Sequence, residues 1–151
     1  MKVLGGRERC IVVEAYEQDE AQDDIHDAIS AFLSIDEDVL KEVQAHILAY
    51  YDDVFRSVGA EEPDFPQISS PNDVWAHIRF GNEPVVSRRP YGDQGVYVSV
   101  ECECDWEPEH GLQIVFKNGQ TVNKVGPYDG HLSNADAFAD PSLEDVVYRQ
   151  F

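Results

Sequence analysis

Cys102, Cys104 and His110 are the residues whose types and spacing come nearest to a metal site. Cysteines at i and i+2 of a strand point to one face, and a histidine six residues on can fold back toward them. Zinc pairs normally use a wider knuckle with two to four residues between the cysteines, however, and no fourth ligand is evident, since Cys10 would come close only if its strand paired beside this one. The plainer reading is a pair of small buried apolar groups, so no metal and no cofactor is expected. Glu107, Glu109 and His110 suggest a second chemistry, because a carboxylate beside an imidazole holds its tautomer and raises its pKa. No nucleophile flanks them. Trp106, Pro108 and Gly111 surround them as an anchor, a rigid turn and a hinge. The expectation is therefore a structural motif of Trp106, Glu109, His110 and Gly111, without a catalytic residue. Trp106 plugs the sheet face, Gly111 allows the reversal, and His110 or Glu109 bonds loop amides.

Other candidates are weaker. Asp129, Asp136 and Asp140 suggest a hard cation, but the D-x-D-x-D-G calcium pattern with its distal Glu is absent. Gly5-Gly6 and Gly92-Asp93-Gln94-Gly95 lack the strand–turn–helix setting of a phosphate loop and read as turns. Arg88-Arg89 is the one adjacent basic pair, too small for a nucleic-acid patch.

Charge is the strongest compositional signal. Thirty acidic residues against eleven basic give −19, where a magnitude of about 2–8 is usual for a small domain. Such a field repels nucleic acid and anionic membrane and attracts cationic partners. Residues 14–64 hold sixteen Asp or Glu and only two basic residues, Lys41 and Arg56. The plain alternative is a solvated helix surface. The functional reading is a docking surface for a basic protein, with Asp23, Asp24, Asp27, Glu37, Asp38, Asp52 and Asp53 as the expected contacts.

These residues need elements to position them. Cys10–Tyr16 reads as one strand. Ile25, Ala28, Ile29, Phe32 and Leu33 fall on one face of a first helix, with Asp19 as its N-cap. Ser34-Ile35-Asp36-Glu37 has capping-box form and opens a second, continuous helix over 36–58, with Gly59 as a left-handed C-cap. The two helices are expected to pack antiparallel. A turn-rich stretch, 60–72, and a short helix near Asp73–His77 lead to strands. Pro84–Arg89 is a weak one, and Gly95–Cys104 alternates Val96, Val98 and Val100 against Tyr97, Ser99 and Glu101. Leu112–Phe116 and Thr121–Val125 flank Asn118-Gly119, a strong hairpin signal. A final short helix is expected from Ser142.

The expected fold is α+β: two antiparallel helices packed on an antiparallel sheet of four to five strands. It forms a single domain, 1–151, with a helical half at about 19–59, a sheet half at about 84–126 and a tail at 127–151. At 151 residues such a chain can bury a core without disulfides. The three cysteines are an odd count, and Met1–Arg7 has no apolar signal-peptide core, so free thiols and a cytoplasmic location are expected. No apolar run reaches the ~18–20 residues of a membrane span.

The segment Trp106-Glu107-Pro108-Glu109-His110-Gly111-Leu112 resembles a family of small bacterial proteins of unknown function that carry a Trp-acidic-x-Glu-His-Gly-Leu signature between two strands. Tyr50-Tyr51 matches that family's Tyr-Tyr pair, and Pro66-Gln67-Ile68-Ser69 its Pro-x-Ile/Leu-Ser segment. The resemblance covers roughly residues 10–126. It implies an intracellular α+β protein with no established activity, often encoded near genes of the toxin–immunity kind.

The expected function is an acidic protein-binding domain, of the kind that would serve as an immunity-type inhibitor of a basic toxin or effector. The alternatives are a small hydrolase or metal-dependent enzyme using His110, Glu109 and Cys102/Cys104, and a structural or oligomerising subunit.

Overall fold

A computed structural model of the chain describes residues 1–150; Phe151, the last residue of the expected tail, lies outside the described residues. In chain order the elements are β1 (Val12–Val13), α1 (Gln22–Ser34), α2 (Asp38–Lys41), α3 (Gln44–Ser57), β2 (Ile78–Phe80), β3 (Val85–Arg88), β4 (Val96–Cys104), β5 (Leu112–Lys117), β6 (Thr121–Gly126) and α4 (Asn134–Phe138). A seven-residue 3-10 helix, Pro71–His77, precedes β2.

β4 is the spine of the sheet. Val96, Val98, Val100, Cys102 and Cys104 are buried along one face, while Ser99, Glu101 and Glu103 alternate on the other. β5 pairs antiparallel with β4, placing Phe116 opposite Val98 and Ile114 opposite Val100. β6 pairs with β5, through a turn in which Asn118 and Gly119 both take positive φ, 55° and 70°. Such φ values are what Asn-Gly supplies cheaply. A side chain at Gly119 would also strike the Ala28 carbonyl of α1, so the turn is seated against the helix. On its other side β4 pairs with β3 over its first half and with β2 over its second.

The sheet departs from the expectation in two ways. Among the described residues it has six strands rather than four to five, and it is mixed rather than antiparallel, because β1 runs parallel to β3. The expected strand over 10–16 contracts to Val12–Val13.

The helical layer differs as well. Among the described residues five helical segments have four residues or more, and three of these have seven or more. The helix expected over 36–58 is broken at Glu42-Val43, where the Val43 amide bonds the Leu40 carbonyl in a tightened turn. Leu40, Val43 and Ile47 stay buried across the break. The apolar spacing therefore continues where the helix does not. Burying the Ile47 side chain stabilises the fold by roughly 1.5–3 kcal/mol. Ser34 is the last residue of α1 and returns its hydroxyl to the Ser30 carbonyl; Asp36, rather than a Ser34–Glu37 box, bonds the Asp38 amide. Gly59 opens a 3-10 turn instead of closing a helix in the left-handed region. α1 lies on β3 and β4, whereas α3 lies on β6 and the Pro71–His77 helix. Phe32 of α1 meets Phe116 edge to face at 5.2 Å, which marks the helix-covered side of the sheet.

Residues 127–148, here termed the strap, run from the opposite side, where Gln113 bonds the His131 carbonyl and Lys124 bonds Asp129, around the β6 edge, where the Val125 amide bonds the Val147 carbonyl, to Tyr148 against Tyr50 on the helix side. Ser133 caps α4 by accepting the Asp136 amide, and the Asn134 amide nitrogen bonds the carbonyls of Val146 and Val147. No helix among the described residues is long and apolar enough to cross a membrane.

Candidate functional site: the acidic face and the Trp106 loop

The loop that follows β4 is built around Trp106, which is 2% exposed. Its ring meets Tyr50 and Tyr51 edge to face, at 5.8 and 6.0 Å. The Tyr50 hydroxyl donates to the Gly111 carbonyl at 2.9 Å, closing the far end of the loop. The Tyr51 hydroxyl donates to the Pro66 carbonyl at 2.6 Å and accepts the Ile68 amide at 3.1 Å. The Tyr-Tyr pair, the Pro66–Ser69 segment and the Trp106–Leu112 segment therefore meet in one aromatic knot. Gly111 has φ +67°, and a side chain there would collide with the Cys102 carbonyl.

Within the loop, the group that bonds the amides is Glu107, not Glu109 or His110. Its Oε1 accepts the amides of Glu109 and His110, and its Oε2 lies 2.8 Å from His110 Nδ1. Partial burial pushes the Glu107 carboxyl up, but the His110 ring and the two amides outweigh it and hold the carboxyl below its usual range. The same bond raises the His110 pKa. Both His110 and Glu109 are exposed.

Cys102 and Cys104 do share one buried face of β4, as the i, i+2 spacing predicts. All three cysteines are free. Burial pushes the Cys104 thiol up to about 12 and that of Cys102 higher still, so both are neutral. Among the described residues no three His, Cys, Asp or Glu side chains gather as a metal would require.

The acidic residues fall into two groups. Asp23, Asp24, Asp27, Glu37, Asp38 and Asp52 are exposed. Asp53 is not: it is 2% exposed, bonded by the Tyr148 hydroxyl at 2.7 Å and by Arg56. It belongs to the interior and leaves the set of expected partner contacts. Asp38 is paired with Lys41 at 3.1 Å and Asp24 with Arg88 at 3.1 Å. Asp19, expected as the N-cap of α1, instead accepts the Ala21 amide and grips Arg88.

Arg88 and Arg89 part company as neighbours on a strand do. Arg88 reaches α1. Arg89, 2% exposed, reaches the strap and is bonded by Asp136 and Glu144 at 2.5–2.9 Å. Lys124, 1% exposed, is held by Gln113 and Asp129 at 2.8 and 2.9 Å. Sequence reasoning missed these buried ion pairs. The signal in reach was the basic pair at the end of a strand in a chain with so few cations.

A family model described as Domain of unknown function (DUF6985) matches residues 1–132. The chain belongs to that family. No curated protein and no solved structure matches it. The DUF6985 region contains the whole aromatic knot, the exposed acidic residues and Arg89. Asp136, Glu144 and Tyr148, which complete the bonding of Arg89 and Asp53, lie C-terminal to it.

Proposed function

We propose that this DUF6985 chain is a protein-binding domain whose acidic helical side docks a basic partner. The observation that carries the reading is the segregation of charge: sixteen acidic and two basic residues in 14–64. Six of the seven expected contact residues are also exposed. Folding alone does not require such a concentration, and mutual repulsion among the carboxylates works against the compact state. The finer form of the proposal is an immunity-type inhibitor acting in a bacterial cytoplasm. Carboxylates on α1 and α3 would steer a cationic toxin or effector domain into contact and then cover its basic active site.

The test uses the exposed pair Asp23 and Asp27, because reversing Asp24 would also break its bond to Arg88. Partners are captured from the host, and the association rate of the strongest is measured against salt. Reversing Asp23 and Asp27 to lysine is expected to slow association far more than it speeds dissociation. Raising salt from 0.1 to 1 M should have the same effect, as the Debye length falls from ~10 to ~3 Å. An association rate indifferent to both would refute the proposal.

A further inference from the structure

Helix α1 has Ala21 as its N-cap, with no side chain capping it, although the first amides of any helix need partners. The guanidinium of Arg88, at the end of β3, organises this start. Its Nε and Nη2 grip both oxygens of Asp19 at 2.7 and 2.9 Å, and Nη2 also reaches Asp24 at 3.1 Å. Nη2 donates to the Ala21 carbonyl at 3.2 Å, and Nη1 donates to the Gln94 carbonyl at 2.8 Å. Asp19 Oδ1 in turn accepts the Ala21 amide at 2.8 Å. One side chain thus joins the first turn of α1, the strand beneath it and the 90–95 loop.

A cation at a helix N-terminus opposes the helix dipole, so an arginine is not placed there for the helix alone. The Asp19 side chain is only 8% exposed and out of a partner's reach, and Arg88 is what satisfies its charge. Asp23 and Asp27, on the same helix, remain exposed.

We propose that Arg88 is the positioning residue of the acidic face: it fixes the first turn of α1 and so sets the direction in which Asp23 and Asp27 meet a cationic partner. This inference rests on the partner-binding reading above. It predicts a sign that charge alone does not. Arg88→Gln makes the protein more acidic, so a face acting through net charge would bind a cation more tightly. A face that depends on Arg88 for its geometry would bind it more weakly.

The probe is a short oligoarginine peptide, titrated calorimetrically at low salt against the full chain. Lys2→Gln makes the same charge change at an exposed residue, and it should bind as tightly as wild type or more so. Arg88→Gln should bind several-fold more weakly. Arg88→Lys should also bind more weakly, since an ammonium keeps the charge but cannot span Asp19, Asp24 and the Gln94 carbonyl together. It thereby supplies the answer if Arg88→Gln fails to fold. Wild-type affinity in Arg88→Lys, or tighter binding by Arg88→Gln, would overturn the positioning role. If the wild type itself ignores the peptide, the partner-binding reading falls. Amide exchange over residues 21–28 then judges Arg88 separately: unchanged exchange in Arg88→Lys overturns the clip, and faster exchange sustains it.

Discussion

Tyr148 donates its hydroxyl to the buried carboxylate of Asp53 at 2.7 Å, joining the strap to the middle of α3 across ninety-five residues of sequence. Burial, and then this bond, raise the tyrosine pKa, so the group stays a neutral donor. Hydrogen bonds to charged groups contribute about 1.5–3 kcal/mol. Tyr148→Phe is expected to lose that amount in urea denaturation with an unchanged m-value, since Arg56 still accompanies Asp53. A loss below a few tenths of a kcal/mol would show that the strap is held by other contacts.

Gly111→Ala places a side chain at φ +67° and against the Cys102 carbonyl. Substitution at such a position costs more than about 1 kcal/mol. The same experiment separates two views of the loop. If the aromatic knot is structural, Gly111→Ala lowers the melting temperature, and any binding activity falls only as the folded fraction does. Full stability with lost binding would make the loop a contact surface.

The His110–Glu107 pair should titrate visibly. Its histidine has a raised pKa, so its stabilising contribution is complete below the ordinary value near 6.5 and fades as pH rises through the higher folded value. Glu107 has a lowered pKa, and its contribution is lost as pH falls through that value from the ordinary one near 4.5. The pair therefore helps most at mildly acidic pH. Proton NMR of the His110 ring should show the raised pKa, and Glu107→Gln should return it toward 6.5. An unmoved titration in that variant would mean that the bond does not form in solution. Because His110 is exposed, His110→Ala should change stability little at neutral pH.

Thiol chemistry should follow burial. Cys10 is exposed, while Cys102 and Cys104 are buried neutral thiols with raised pKa values. Iodoacetamide at neutral pH is expected to label Cys10 first, and the other two only in denaturant. Prompt labelling of Cys104 in the native protein would contradict the packing around Trp106.

The parts of this fold that were legible in sequence are those with strong local signals. Alternation marked β4, and Asn118-Gly119 marked the β5–β6 hairpin. The parts that escaped depend on distant residues. β2 is three residues long and exists because β4 runs past the end of β3. β1 pairs with β3 across some seventy residues, with no local sign of parallel pairing. The break at Glu42-Val43 carries neither Gly nor Pro, and the apolar spacing continues through it. α4 could have been found, since Ser133-Asn134-Ala135-Asp136 has an N-terminal capping pattern. At the candidate site, the exposure of the acidic residues followed from their type. That Asp53 lies inside depends on packing that includes Tyr148, far along the chain.

The same long-distance closures constrain how the molecule is made. β1 finds its place only once Val85 and Val86 have been synthesised, and α3 lacks its bond to Tyr148 until that residue, ninety-five positions on from Asp53, has been made. A nascent chain that has emerged only as far as α3 would carry its carboxylate-rich helices with no sheet to rest on. Their apolar sides would be exposed, but their charge would keep neighbouring chains apart. Sixteen carboxylates against two cations in residues 14–64 would then act on the unfinished polypeptide as well as on its finished surface.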